Sequence, residues 1–262
     1  MKIAFSPCPN DTFVFHALVH GLVPGAPTFD VTYADVDVTN TAALDGRFDL
    51  VKVSYAALPW LLDQYELLPC GGALGRGCGP LVLTKTGSVD GGVVAVPGER
   101  TTAYLLMRLW AEQTGQRPAR IEVVPFHEIM PGVAAGMWDA GLVIHEARFT
   151  YQRYGLRQVV DLGEWWEGDT GSPIPLGAIL AKRGAVDPRQ ATEWIRASVR
   201  HAWAHPEASR DYVLAHAQEM EPAVVDQHIA LYVNEFTEDL GDAGHAAVRQ
   251  LLERSAKAGL TV

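Results

Sequence analysis

Ser6-Pro7-Cys8-Pro9-Asn10-Asp11-Thr12-Phe13 follows the apolar run Ile3-Ala4-Phe5 and leads into Phe13-Val14-Phe15-His16-Ala17-Leu18. The first run reads as a strand and the last as a helix. Two prolines forbid a continuing strand, and Asp11 or Thr12 can cap the helix that starts there. A strand, a sharp polar turn and a capped helix leave backbone N–H groups at the carboxyl edge of a sheet, where open α/β sheets bind ligands. An ordinary strand-to-helix turn has the same composition. What gives this one weight is that the chain builds the unit again.

The second copy is Val93-Val94-Ala95-Val96-Pro97-Gly98-Glu99-Arg100-Thr101-Thr102-Ala103-Tyr104, again a strand, a proline turn and a threonine-led helix. Downstream of each copy comes a second shared segment. Gly46-Arg47-Phe48-Asp49-Leu50-Val51-Lys52-Val53-Ser54 is matched by Gly136-Met137-Trp138-Asp139-Ala140-Gly141-Leu142-Val143-Ile144-His145. Each has a helix-ending glycine, an aromatic, an aspartate and an apolar strand with a polar end. Alternating strands and helices imply parallel sheets, and the doubling implies two similar α/β domains whose strand ends face one cleft. Val31 to Val38 alternates as a strand, and Thr41 to Leu44 reads as a short helix. Gly171-Ser172-Pro173-Ile174-Pro175 reads as irregular, and Leu176 to Ala181 as a strand returning to the first domain. From Asp187-Pro188 onward the chain reads as about four helices, broken at His205-Pro206, Glu221-Pro222 and Gly241, that brace the first domain. The expected division is residues 1–86 with 178–262 in the larger domain and 87–177 in the smaller one.

The 262 residues are 48% hydrophobic and 20% charged, enough apolar material for a sizeable core. A net charge of −10 without long runs of one sign argues against nucleic acid as a partner. No stretch is apolar and long enough to span a membrane, and the N-terminus is too short in apolar residues for a signal peptide. Cys8, Cys70 and Cys78 are odd in number and form no C-x-x-C, so neither a disulfide framework nor a zinc site is expected. A reducing cytoplasm is the expected location. The glycine-rich segment Gly71 to Pro80 lacks the lysine of a phosphate-binding loop and reads as a flexible connection.

His145 ends an apolar strand and should sit at the ligand-binding edge of its sheet, as a base near neutral pH or as a hydrogen-bonded structural residue. Lys52 with Ser54, and Thr101 with Thr102, sit at strand-to-helix junctions of opposite domains. They supply donors for a carboxylate or several hydroxyls, although plain N-capping also accounts for the threonines. His201 and His205 are four apart on a helix, but H-E-x-x-H fails at Ala202 and no third ligand is evident. Cys8 has neither a base nor a cation beside it in sequence and reads as a small packed residue.

The opening Ser6-Pro7-Cys8-Pro9-Asn10-Asp11-Thr12-Phe13 resembles the signature of the 1,4-dihydroxy-6-naphthoate synthases. So do Gly71 to Gly77, Val96-Pro97-Gly98 with Thr101 to Tyr104, Ile144-His145-Glu146 with Arg148 to Tyr151, Pro175 to Ala181, and Tyr232-Val233-Asn234. The resemblance implies a two-domain fold like that of type II periplasmic binding proteins. It implies a carbon–carbon lyase of the futalosine route to menaquinone, taking the small carboxylate cyclic dehypoxanthinyl futalosine to 1,4-dihydroxy-6-naphthoate and dihydroxyacetone without metal or cofactor. It also implies a base at His145 and substrate binding by Lys52, Val53, Ser54, Thr101 and Thr102. Chorismate dehydratase of the same pathway and a non-catalytic solute-binding protein share this architecture and stand as the alternatives.

Overall fold

The computed structural model describes residues 1–85, 89–217 and 221–260. The expected domain boundary between residues 86 and 87, and the last two residues, lie outside them. The first lobe contains β1 (Lys2–Phe5), α1 (Pro9–Val19), β2 (Asp30–Tyr33), α2 (Val36–Leu44), β3 (Leu50–Ser54), α3 (Leu58–Leu61), β4 (Tyr65–Leu67) and β5 (Ala73–Gly75). The chain crosses to the second lobe in β6 (Leu81–Thr84). It continues through β7 (Val93–Val96), α4 (Thr102–Thr114), β8 (Arg120–Val123), α5 (Phe126–Ala135), β9 (Ala140–Val143), α6 (Ala147–Thr150), β10 (Arg157–Asp161) and α7 (Leu162–Thr170). It returns in β11 (Ile174–Lys182) and ends in α8 (Pro188–Ala204), α9 (Arg210–His216), α10 (Pro222–Tyr232), α11 (Glu235–Glu238) and α12 (Gly241–Lys257).

The doubling read in the sequence is present in the sheets. The first runs β2-β1-β3-β11-β4, with β5 also on β11, and the second runs β10-β6-β9-β7-β8. In each, the opening strand is central and parallel to its two repeat neighbours, and the crossover strand lies beyond the third. The crossover strands are antiparallel: β6 to β9 and β10, and β11 to β3, β4 and β5. A chain arriving from the other lobe enters at the edge where the parallel strands end, so it has to run back against them. The sheets are therefore mixed rather than wholly parallel.

β6 belongs to the second sheet and the start of β11 to the first. Two readings shift in detail. Ile174 and Pro175 lie inside a strand rather than in irregular chain; the proline is tolerated beside a register shift between Pro175 and Gly177. Asp37 to Asn40 are helical, because α2 begins at Val36 and buries Thr39, Asn40 and Ala43 on one face.

α1 is buried from Pro9 to Leu18, as a helix enclosed on all sides must be. It packs under α8, where the Ser198 hydroxyl accepts from the Leu18 N–H and donates to the Val14 carbonyl. The largest apolar cluster takes side chains from both sheets, among them Val53, Leu74, Val82 and Val96, together with Leu106 of α4 and Trp166 of α7. Among the described residues no helix is long and apolar enough to cross a membrane.

Candidate active site

A cavity between the sheets is lined by the β1–α1 turn (Ser6, Asn10, Asp11), the end of β3 (Lys52, Ser54) and the start of α4 (Thr101, Thr102, Ala103). Ile144 and His145 beyond β9, Leu176 and Gly177 of β11, and His228 and Tyr232 of α10 complete most of its wall. Most of these positions are strand ends or helix termini, which is where two facing α/β units present polar groups; His228 instead projects from the middle of α10.

His145 has φ +57°, and it is the one non-glycine residue with positive φ among the described residues. That conformation costs of order 1–3 kcal/mol away from glycine and concentrates at functional positions. Its ring stands edge-on to Phe126, with centroids 5.2 Å apart. Nδ1 lies 3.1 Å from Cys8 Sγ, and Nε2 is buried without a hydrogen-bond partner among the described residues. Burial holds the imidazole down at about 4, against the opposing pull of Asp11 and with Lys52 adding to it. The ring is thus neutral near pH 7. In the tautomer whose Nδ1–H points at the sulfur, Nε2 carries the lone pair a base needs. The Cys8 thiol is pushed well up by burial, then by Glu146 and Asp11, and so stays protonated. Glu146 is buried, and its carboxylate, Cys8 Sγ and a His145 ring nitrogen lie within 4.8 Å of one another. Those donor types suit a transition metal, although three residues in a cluster are not by themselves a metal site.

A second network surrounds Asp11. Its carboxylate accepts from the Lys52 ammonium, from the Ser6 hydroxyl at 2.7 Å and from Asn10 Nδ2 at 2.7 Å. Lys52 is thereby neutralised by a buried partner, and among the described residues two of its three N–H groups are left over. Gly177 makes room for the lysine stem, since a Cβ there would sit 2.9 Å from Lys52 Cε. Ser54 is held by Asn40, whose Oδ1 accepts from the Ser54 N–H while its Nδ2 donates to the hydroxyl.

The threonines spend their hydroxyls on protein. Thr101 caps α4, accepting from the Tyr104 N–H while donating to the Gly98 carbonyl. Thr102 accepts from the Ala56 N–H and donates to the Leu176 carbonyl, tying the second lobe to the first. The first-turn N–H groups of Thr102 and Ala103 have no intrahelical partner, and a helix start of this kind can receive an anionic or polar ligand. Arg148, half-buried, pairs with the buried Asp161 at 2.8 Å and donates to the Gly79 carbonyl, a second ion pair largely shielded from solvent.

Residues 1–257 match the model of a family described as menaquinone biosynthesis. The chain belongs to that family. A relative from Streptomyces coelicolor named 1,4-dihydroxy-6-naphthoate synthase is 63% identical over 99% of this chain and 94% of its own. One of the same name from Thermus thermophilus is 48% identical over 99% and 95%. A crystal structure of a protein from Archaeoglobus fulgidus superposes with a TM-score of 0.92 at 30% identity, covering 99% and 97% of the two chains. The alkanesulfonate-binding protein of Xanthomonas axonopodis, bound to MOPS, superposes with a TM-score of 0.73 at 16% identity over 100% and 94%. That likeness shows a periplasmic-binding-protein fold for this family member.

Of the residues singled out in the sequence, Lys52, Ser54, Thr101, Thr102 and His145 border the one cavity. Val53 does not. It alternates to the other face of β3 and is fully buried in the apolar core. Cys8 is more than a packed residue, since it touches His145. Glu146 lies near the site as well, because the chain turns sharply at His145. Asn10 and His228 were missed. The signal for His228 is a histidine on the buried face of α10, in register with Val224, Val225 and Tyr232.

Proposed function

We propose that this protein is a 1,4-dihydroxy-6-naphthoate synthase, a carbon–carbon lyase of menaquinone biosynthesis that cleaves cyclic dehypoxanthinyl futalosine to 1,4-dihydroxy-6-naphthoate and dihydroxyacetone. The observation that carries this is the 63% identity, over nearly the whole of both chains, to a relative of that name. The cavity chemistry supports the same reading. A neutral, buried imidazole at His145 takes a proton next to an oxygenated carbon, and the ring that becomes aromatic supplies the driving force. The α4 N-terminal amides, the spare N–H groups of Lys52 and the Ser54 hydroxyl bind the substrate's carboxylate and hydroxyls. In this reading β1–β5 with β11–α12 form one domain and β6–α7 the other. A cytoplasmic location suits a biosynthetic role of this kind.

Purified protein incubated with cyclic dehypoxanthinyl futalosine should yield 1,4-dihydroxy-6-naphthoate by chromatography and mass spectrometry. Loss of water from chorismate instead would favour the sister dehydratase, and binding without turnover of either compound would favour a solute-binding protein.

A further inference from the structure

His228 lies outside the mechanism just described, yet it borders the same cavity. It projects from α10, is 1% exposed, and stacks at a tilt on Tyr232 with ring centroids 4.5 Å apart. Its two ring nitrogens differ in their surroundings. Nε2 lies 2.9 Å from Asn10 Oδ1. Nδ1 is buried and has no hydrogen-bond partner among the described residues.

The bonds around Asn10 fix which nitrogen carries the proton. Asp11 presents a carboxylate that already accepts from Lys52 and Ser6, so the Asn10 atom facing it, at 2.7 Å, must be the donating amide nitrogen. The amide's other end is then a carbonyl oxygen, which only accepts. His228 Nε2 therefore carries hydrogen, and Nδ1 carries a lone pair. Burial keeps the ring neutral by pushing its pKa well below the ordinary histidine range, and the nearby His145, Lys52 and Arg148 push the same way. A buried acceptor without a partner is costly unless a ligand satisfies it.

We propose that His228 is a substrate-contacting residue: a fixed-tautomer imidazole, set by the Lys52–Asp11–Asn10 relay, whose Nδ1 accepts a hydrogen bond from a substrate hydroxyl. The proposal rests on the synthase reading for the identity of that substrate, a polyhydroxylated cyclic compound. It gives the cavity two imidazoles with separate duties. His145 takes a proton in the reaction, and His228 orients a hydroxyl without leaving its neutral form.

The test has two parts. Nitrogen-15 NMR of histidine-labelled protein without ligand reads the tautomer, whatever the protein's activity. A non-protonated Nδ1 and a protonated Nε2 at His228 are expected, and the opposite tautomer overturns the proposal. Steady-state kinetics on cyclic dehypoxanthinyl futalosine then compares variants. His228→Gln keeps an N–H donor at the Nε2 position toward Asn10 but has no acceptor at Nδ1. It should lower kcat/KM about 10- to 100-fold while the protein stays folded by circular dichroism. His228→Asn returns an acceptor near Nδ1 and should recover part of that loss. His228→Gln at wild-type kcat/KM overturns the contact, as does an equal loss in both variants. Failure of the wild type to turn over this substrate refutes the synthase reading, and the His228 contact named here falls with it even if the tautomer is as expected.

Discussion

The β1–α1 turn and the β7–α4 turn border the same cavity and arise from the same repeated unit, but they use their side chains differently. In the first turn the cap position is Cys8, which makes no side-chain cap bond to α1 and lies instead against His145 of the other lobe. Asn10 reaches His228, and Asp11 reaches Lys52. In the second turn Thr101 caps its own helix, Thr102 binds the first lobe, and Gly98 lets the loop close on Asp37, where a Cβ would come within 2.7 Å. One turn spends its polar atoms on setting up reactive side chains, and the other on keeping two lobes in register. A duplicated backbone therefore leaves each copy free to specialise, because the strand and helix need only a small contribution from the turn's side chains.

If the first turn serves chemistry, the largest effect belongs to the side chain it touches. His145→Asn keeps polarity and approximate size but cannot take a proton. It should cut turnover by about 10²- to 10⁴-fold, with substrate binding retained in a calorimetric titration. Near wild-type turnover in a folded variant would move the base elsewhere. The pH profile sharpens the assignment. Burial puts His145 at about 4, so the acid limb of kcat/KM should lie near pH 4 and the rate should be flat through neutrality. Stability should follow the same sign. His16, on α1, is also pushed down to about 4, by burial and then by His20 and His201. Both rings bind protons near 6.5 when unfolded, so between pH 6.5 and about 4 the unfolded chain binds more protons and stability falls as pH drops. Urea melts at pH 7 and pH 5 measure this, and equal stability would contradict the burial of both rings.

The next effect separates the two turns by stability. Lys52→Met leaves the Asp11 carboxylate buried without its cation and should cost about 3–5 kcal/mol in urea denaturation. Adding Asp11→Asn should recover a good part of that loss, because the orphaned charge is then gone. A single variant with wild-type stability would mean that the pair is solvated and that the first turn is not the electrostatic centre described.

Much of this was legible beforehand because periodicity and turn chemistry are local. The doubled strand–turn–helix unit, the glycine-aromatic-aspartate segments before β3 and β9, and the strand-end position of His145 needed only neighbouring residues. What stayed hidden depends on contacts across the chain. Cys8 and His145 are separated by 137 positions, and Asn10 and His228 by 218. Lys52 reads as a free cation until Asp11 folds against it. Thr102 reads as a ligand-binding hydroxyl until β11 arrives to accept its hydrogen bond. The antiparallel crossover strands were hidden for the same reason, since direction is set by where the chain enters the sheet. The left-handed φ of His145 has no counterpart in the sequence pattern, because only glycine announces that conformation.

In the second turn a junction role predicts moderate losses. Thr102→Val keeps shape but strands the Ala56 N–H and the Leu176 carbonyl between the lobes. A cost of about 2 kcal/mol is expected, within the range for buried groups left unsatisfied. Substrate affinity should weaken less than stability, since the ligand is held by backbone amides rather than by this hydroxyl. An intact melt together with a large loss of affinity would reverse the assignment and make Thr102 a direct ligand residue.

The smallest effect is at Thr101, and it tests whether the second turn is only structural. Its hydroxyl accepts from the Tyr104 N–H at 3.2 Å and donates to the Gly98 carbonyl at 2.8 Å, so both bonds stay within the turn. Thr101→Ala removes the cap and should cost about 1 kcal/mol. Thr101→Ser keeps the oxygen and should recover most of it. Because the cap also orients the free first-turn N–H groups, KM should rise only slightly and kcat should not change. The equivalent truncation in the first turn, Cys8→Ala, removes no cap bond, since Cys8 makes none to α1. It should leave helix stability nearly unaltered and appear in the pH–rate profile, through the lost contact with His145. If Thr101→Ala altered the pH profile and Cys8→Ala altered only stability, the two turns would have exchanged roles and the division of labour drawn here would be wrong.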